Sequence, residues 1–230
     1  LRRQRQMCIR DRYNVKRGLR DSNGRGVLTG LTEVSDVMGF SVVDGHRVPI
    51  PGELYFQGYE VQQLVQGFRN SQYGFEETTY LLLFGDLPSQ EQLDCFKEVL
   101  GELRQLPESF NRDVIMKAPS RDMMNVLQKC VLTLYTYDPD PNNLDIKNVL
   151  MQCLQLIAQF PVMAAYGYQA YRHYYLDKSL VIHRPKKELS TAENILRLLR
   201  TDGKYTALEA KVLDCLLYTS PSPRDLSTSR

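Results

Sequence analysis

The chain has 230 residues, 43% of them apolar and 24% charged, a balance typical of a soluble globular protein with a core of its own. No apolar run approaches the roughly 18 residues of a membrane helix. No apolar stretch follows the Arg-rich start, as a signal peptide would require, so we expect a cytoplasmic protein.

The two ends of the sequence share one DNA word. Residues 7–11 can be encoded by a stretch containing ATGTGTATAAGAGACA, and its reverse complement, TGTCTCTTATACACAT, can encode residues 215–219 and the start of codon 220. A transposase-inserted sequencing adapter leaves an inverted repeat of this kind. We therefore predict that residues 1–12 and 215–230 are adapter-derived and that residues 13–214 are native. The alternative is a native basic arm and a native Ser/Pro-rich tail.

This prediction changes the charge argument. The formal net charge of +2 and the Arg-rich start suggest nucleic-acid binding. The two end segments hold seven arginines and two aspartates, and without them 22 basic and 25 acidic residues remain, a net charge of −3. We therefore expect no nucleic-acid partner.

The first native region, residues 13–58, is rich in glycine and turn residues. Residues 34–43 predict one or two short strands, and Pro49 and Pro51 are predicted to close the region. We expect small β-ribbons and loops there, without a separate domain.

From residue 59 onward the pattern is helical. The first helix presents Val61, Leu64 and Val65 on one face, and a second covers residues 76–84 before Gly85. Ser89 and Gln92 have the spacing of a capping box. The helix behind them has an apolar stripe of Leu93, Phe96, Val99, Leu100 and Leu103.

The middle of the chain predicts three more helices. A short one covers residues 107–115, and an amphipathic one follows Ser120. The longest begins near Asn143, and Pro161 is predicted to kink or divide it. The predicted inward residues of the second are Met123, Val126, Leu127, Cys130, Val131 and Leu134, and those of the third are Ile146, Val149, Leu150, Cys153, Leu154 and Ile157.

Two further capping boxes, Ser190 with Glu193 and Thr206 with Glu209, start the last two helices, the second of them cut at Asp214. Three capping boxes and little strand signal after residue 58 predict a mainly α-helical fold over residues 59–214.

The cysteines indicate no metal or disulfide framework. Cys8, Cys95, Cys130, Cys153 and Cys215 are widely spaced and form no CxxC or Cys/His cluster. We interpret Cys95, Cys130 and Cys153, which lie in helical apolar patterns, as small core residues.

Several segments, taken in order, resemble a bacterial subgroup of the citrate synthase family. They are residues 17–21 (RGLRD), 26–32 (GVLTGLT), 51–59 (PGELYFQGY), 73–77 (YGFEE), 80–88 (YLLLFGDLP), 118–120 (APS), 182–185 (IHRP) and 190–194 (STAEN). Gln57 stands where the family often has arginine, which makes residues 54–58 look like a protease tag. Gly52 stands where that tag requires glutamate, so we interpret the segment as native.

The resemblance implies the first part of a large helical domain, with short N-terminal β-ribbons, of a homodimeric enzyme. Such an enzyme condenses acetyl-CoA with oxaloacetate to citrate and CoA, with the thioester as substrate and no resident cofactor. Its mechanism uses an aspartate base, two histidines, and arginines that bind the oxaloacetate carboxylates. The resemblance places these groups after Asp214, beginning with a His-x-x-His segment. It implies no catalytic, cofactor-binding or metal-binding residue in this chain, and an inactive, poorly stable fragment.

The three histidines do not form a site in the sequence. His46 is expected in a solvated turn, His173 at a helix end among tyrosines, and His183 in a solvated basic loop that could alternatively meet CoA phosphates. Two other functions stay open. One is a 2-methylcitrate synthase that uses propionyl-CoA, and the other is a non-catalytic helical interaction protein.

Overall fold

Residues 34–44 and 46–219 are described by a computed structural model, in which the chain divides into two compact units. The first unit includes residues 34–69 and 81–86, and the second includes residues 70–80 and 87–218. The predicted adapter segment 1–12, the start of the β/loop region and residues 220–230 lie outside the described residues.

A three-stranded antiparallel sheet forms most of the first unit. Strands β1 (Ser35–Val43), β2 (His46–Phe56) and β3 (Tyr59–Glu60) follow one another in the sheet in chain order. Gln57 and Gly58 both have positive φ (50° and 84°), the conformation of a two-residue hairpin turn between β2 and β3. The predicted β-ribbon is therefore confirmed.

The two prolines do not close this region, as was predicted, but lie inside β2. Pro49 pairs with Phe40 on β1, whereas β3 pairs only with Tyr55 and Phe56 at the end of β2. Proline lacks an N–H, and it is tolerated there because β3 does not pair with this part of β2. No backbone N–H is therefore needed on the edge of β2 that faces β3. Helix α1 (Val61–Gly67) follows the sheet and buries Leu64.

The second unit is helical. Its elements are α2 (Gly74–Phe84, whose last turn is grouped with the first unit), α3 (Gln90–Leu103), a π-helical turn (Asn111–Met116), α4 (Met123–Leu134), α5 (Ile146–Leu176), α6 (Thr191–Leu199) and α7 (Ala207–Thr219). The mainly α-helical fold class is confirmed.

Helix α5 is the central element of this unit and packs against α3, α4 and α6. Its residues Val162, Met163 and Ala165 belong to a buried cluster with Phe110 and Cys130. Among the described helices, α5 alone is long and apolar enough to cross a membrane by length and composition, and its second half contributes to the buried core. Pro161 does not divide it. The packing of the surrounding residues outweighs the cost of one interior proline, about 3 kcal/mol.

The inward face predicted for α5 was partly wrong. Leu154 is buried, but Ile146, Val149 and Cys153 are exposed. Burial instead begins at Leu154 and continues through the small residues of the second half. At Gly167 an added Cβ would lie 3.0 Å from Val126 Cγ1, so the absence of a side chain lets α4 approach closely.

The cysteine interpretation needs the same correction. Cys130 is buried, as predicted, whereas Cys95 and Cys153 are exposed. Cys95 lies on α3 away from its buried face, which is formed by Leu93, Phe96 and Leu100. Periodicity located the helices, but it did not show which apolar face has a partner.

The helix starts were mostly predicted. The Ser89–Gln92 and Ser190–Glu193 capping boxes form with both reciprocal hydrogen bonds. For α4, by contrast, the N-cap is Asp122, and Ser120 only accepts from the Asp122 amide.

At the C-terminal end, α7 continues past the predicted boundary at Asp214 to Thr219 and buries Tyr218. The helix is unbroken at that residue. The origin of residues 215–230 stays a prediction.

Candidate functional site

The three histidines each lie in a structural setting. His46 is exposed at the start of β2, opposite Val43. His173 on α5 lies against Tyr174, and its Nδ1 is 3.0 Å from the Lys178 carbonyl oxygen. Among the described residues, no group of three or more His, Cys, Asp or Glu could hold a metal ion.

His183 is more enclosed than the predicted solvated loop suggests. Its Nε2 lies 3.0 Å from the Arg200 carbonyl oxygen and 3.1 Å from that of Thr201, an arrangement in which the ring donates to the end of α6. Its own carbonyl oxygen accepts from the Tyr166 hydroxyl at 2.8 Å. These bonds fix the segment between α5 and α6 at its centre.

The basic side chains of that segment point to solvent, as predicted. Arg184, Lys186 and Lys187 are exposed, and the two lysines lie 3.7 Å from Glu188 and 3.3 Å from Glu102. Exposed pairs at these distances contribute little to stability. The loop thus has a fixed backbone and solvated charges.

Arg104, at the end of α3, binds the backbone of this loop. It is 4% exposed and donates to the Lys186 and Leu189 carbonyl oxygens at 3.0 and 2.8 Å. Asn194 adds a second anchor, because it donates to both of those carbonyl oxygens and accepts from the Lys186 amide at 2.9 Å. Two side chains therefore satisfy the Lys186 amide and the Lys186 and Leu189 carbonyl oxygens of this turn.

Glu76, on the first turn of α2, completes the buried network. Its Oε1 accepts from the Thr191 amide at 2.8 Å, and its Oε2 is buried without a hydrogen-bond partner. Burial raises the pKa of Glu76, while the Thr191 bonds and the Arg104 charge act in the opposite direction. The network joins α2, α3 and the start of α6.

Two open cavities border this part of the unit. One, of about 460 Å³, is lined by Glu76, Arg104, Lys97 and Lys187, with further carboxylates around them. The other, of about 600 Å³, has an apolar wall that includes Tyr166 and Ile182, with Arg112 and Arg184 in its lining. Arg112 is paired with Asp113 at 2.8 Å.

Asp214 is a second buried carboxylate beside α2. Its two carboxylate oxygens accept from the Gly74 and Phe75 amides at 2.9 and 3.0 Å, and the residue is 4% exposed. Burial, with smaller contributions from Glu76 and Glu77, raises the pKa of Asp214 to about 6 in spite of these bonds.

These arrangements hold helix ends and one loop in place. That the chain holds no catalytic residue stays a prediction, because the family resemblance places the catalytic groups in sequence beyond Asp214.

Sequence reasoning missed Glu76, Arg104, Asn194 and Asp214. One signal was present for Arg104, which lies four residues after Leu100 and so continues the buried stripe of Phe96 and Leu100. Glu76 and Asp214 gave no such signal, because their backbone partners are 115 to 140 residues away. Asn194 gave none either, although its backbone partners are only four to eight residues away.

The chain matches a family model described as "Citrate synthase, C-terminal domain" over residues 20–220. Among curated relatives, it is 31% identical to 2-methylcitrate synthase 1 of Corynebacterium glutamicum over 151 residues, 66% of this chain and 34% of that protein. It is 28% identical to a citrate synthase of the same organism over 174 residues, 75% of this chain and 36% of that protein. The chain thus spans about a third of the length of these relatives.

Solved structures share the fold. The citrate synthase from Pyrobaculum aerophilum superposes with a TM-score of 0.65 at 22% identity, over 86% of this chain and 48% of that one. The citrate synthase of Thermoplasma acidophilum, solved as a ternary complex with carboxymethyl coenzyme A and oxaloacetate, superposes with a TM-score of 0.65 at 21% identity, over 87% of this chain and 47% of that one.

Proposed function

The chain belongs to the citrate synthase family, and we propose that it is part of an acyltransferase that condenses acetyl-CoA with oxaloacetate to give citrate and free CoA. The observation that supports this most strongly is the match of the family model over residues 20–220. The Thermoplasma relative, which binds a coenzyme A derivative together with oxaloacetate, agrees with this choice of substrates. We further propose a cytoplasmic enzyme in which the thioester is a substrate and no cofactor is resident.

A 2-methylcitrate synthase that uses propionyl-CoA is the second candidate. A relative of that name is 31% identical to the chain over 151 residues, against 28% over 174 residues for the relative named citrate synthase. A difference of this size does not separate the two substrates. The acyl group must therefore be decided by kinetics.

We propose that the enzyme is a homodimer and that α5 supplies part of the interface. The first half of α5 exposes apolar or weakly polar side chains at alternating spacings of three and four residues, which is the pattern of a helix–helix seam. This seam consists of Ile146, Val149, Cys153, Leu156 and Phe160. Phe160 is 42% exposed and Ile146 80% exposed, which is unusual for such a regular apolar stripe without a partner helix.

The 230-residue chain is expected to be inactive by itself, because it spans about a third of its relatives and the family resemblance places the catalytic histidines and aspartate after Asp214. The test begins with sequencing the gene past codon 214. A His-x-x-His segment within a few codons supports the proposal, whereas an early stop favours the non-catalytic interaction protein.

The protein encoded by the complete gene is then assayed for CoA release with oxaloacetate and either acetyl-CoA or propionyl-CoA. A higher kcat/KM for acetyl-CoA supports citrate synthase, and a higher value for propionyl-CoA supports the second candidate. The purified 230-residue chain, assayed in parallel, should release no CoA above the background. Turnover by this chain would contradict the placement of the active-site groups.

A further inference from the structure

Asp214 makes a long-range contact that no local feature of the sequence requires. Its carboxylate lies on α7, yet it binds the first two amides of α2, Gly74 and Phe75, 140 and 139 residues away in the chain. The first amides of a helix have no intrahelical acceptor, and they attract negative charge. The residue before α2 is Tyr73, whose side chain is not that of an N-cap. Asp214 therefore takes the place of a local cap.

The contact requires glycine at position 74, because a side chain there would occupy the space of the Asp214 carboxylate. A Cβ added at Gly74 would lie 2.9 Å from Asp214 Oδ2. Glycine at this position is what lets the carboxylate reach both amides. Because both oxygens of Asp214 are occupied, a change in its charge or its shape must alter the contact.

We infer that Asp214 is a positioning residue, whose carboxylate joins α7 to the first turn of α2 and thereby fixes the start of the chain that follows it. The inference rests on the proposed function in one respect, since the family resemblance places the histidine segment of the active site directly after this residue. The contact itself uses only Gly74, Phe75 and Asp214, all within residues 13–214.

The ionised carboxylate is under opposing influences. Glu76 and Glu77 face it from α2 and disfavour its charge, as burial does, while the two amides favour it. Cys215 and Tyr218 are the neighbouring titratable groups on α7. A protonated carboxyl group keeps one good acceptor oxygen, because its hydroxyl oxygen accepts poorly. Asp214→Asn also keeps one acceptor oxygen, and because its side-chain nitrogen cannot accept, one of the two backbone amides loses its bond at every pH.

Hydrogen exchange tests the contact directly. In the protein from the complete gene, the protection factors of the Gly74 and Phe75 amides are measured at pH 7.5 for the wild type, Asp214→Asn and Asp86→Asn. Asp86 is exposed, so the control makes the same chemical change without the contact. We expect Asp214→Asn to lower protection by about tenfold, because one of the two amides loses its acceptor. Protection within twofold of the wild type in Asp214→Asn would overturn the inference.

Kinetics separate positioning from mere stabilisation. If Asp214 positions the following segment, folded Asp214→Asn loses roughly tenfold or more in kcat with little change in KM, and its kcat lacks an inflection near pH 6 that the wild type shows. A folded variant with the kcat and pH profile of the wild type would overturn the positioning role. If the wild type turns over neither thioester, the proposed function fails, and hydrogen exchange still decides whether the contact exists.

Discussion

At the scale of single residues, the second unit depends on charged groups that are almost fully buried. Arg104 is 4% exposed and Glu76 1% exposed, and both bind backbone groups near the start of α6. Removing a charged group from water costs free energy, and in the folded protein only the partners of that group offset the cost. Removal of one partner should therefore cost more than the hydrogen bonds it makes.

Arg104→Ala should destabilise the protein by about 3 kcal/mol, since it removes a buried charged donor from the Lys186 and Leu189 carbonyl oxygens, which keep only Asn194, and takes the positive charge away from Glu76. Arg104→Lys should lie in between, because one ammonium does not reproduce the planar fork of the guanidinium. Urea unfolding measures both. Arg112→Ala, at an exposed ion pair, is the control and should change little. Equal losses at the two arginines would refute this account.

The raised pKa of Asp214, about 6 against 3.8 in the unfolded chain, means that the fold favours the protonated form. The unfavourable free energy of burying the Asp214 charge is therefore fully present above pH 6, and it is relieved as the pH falls toward 3.8. Between pH 7 and pH 4, wild type should gain on the order of 3 kcal/mol of unfolding free energy relative to Asp214→Asn. Urea titrations of both proteins at the two pH values provide the measurement. A constant difference between them would show that the carboxyl titrates normally.

At the scale of helices and strands, local sequence chose where several helices begin. The boxes at Ser89 and Ser190 have the same chemistry, with Oγ accepting from the amide three residues on at 3.3 and 3.2 Å. Their surroundings differ, since Ser89 is exposed and Ser190 is 1% exposed. Identical motifs therefore allow the effect of burial on a cap to be measured.

Ser89→Ala should cost about 1 kcal/mol, the usual value of an N-cap hydroxyl. Ser190→Ala should cost about 2 kcal/mol, because water cannot replace the acceptor that the Glu193 amide loses in a buried site. Thermal unfolding of the two variants compares them directly. If Ser89→Ala is the more damaging change, burial is not what strengthens the second box.

At the scale of the whole molecule, exposed apolar side chains on α5 indicate surfaces that the described chain does not cover. The seam of Ile146, Val149, Cys153, Leu156 and Phe160 is regular enough to pair with another helix. Met151 is 49% exposed on the opposite side of the same helix. This residue provides a matched position outside the seam.

Leu156→Glu combined with Phe160→Glu should convert a dimer of the protein from the complete gene to a monomer, because two charges would be buried in an apolar interface. Light scattering after gel filtration measures the mass, and Met151→Glu should leave the dimer intact. A dimer that persists in the double variant would exclude the seam as its interface.

The sequence by itself determined the mainly α-helical class, the position of most helices and the family, because periodicity, capping boxes and ordered motifs are local features of the chain. Pro161 and the face of α5 show the limit of this reasoning. Whether an interior proline is tolerated, and which residues of an apolar stripe are buried, depends on neighbouring helices that are distant in sequence. Only the tertiary structure showed that Arg104 and Asp214 bind backbone groups far along the chain. Such contacts satisfy polar groups that are buried away from water, and only the assembled fold decides which groups are buried.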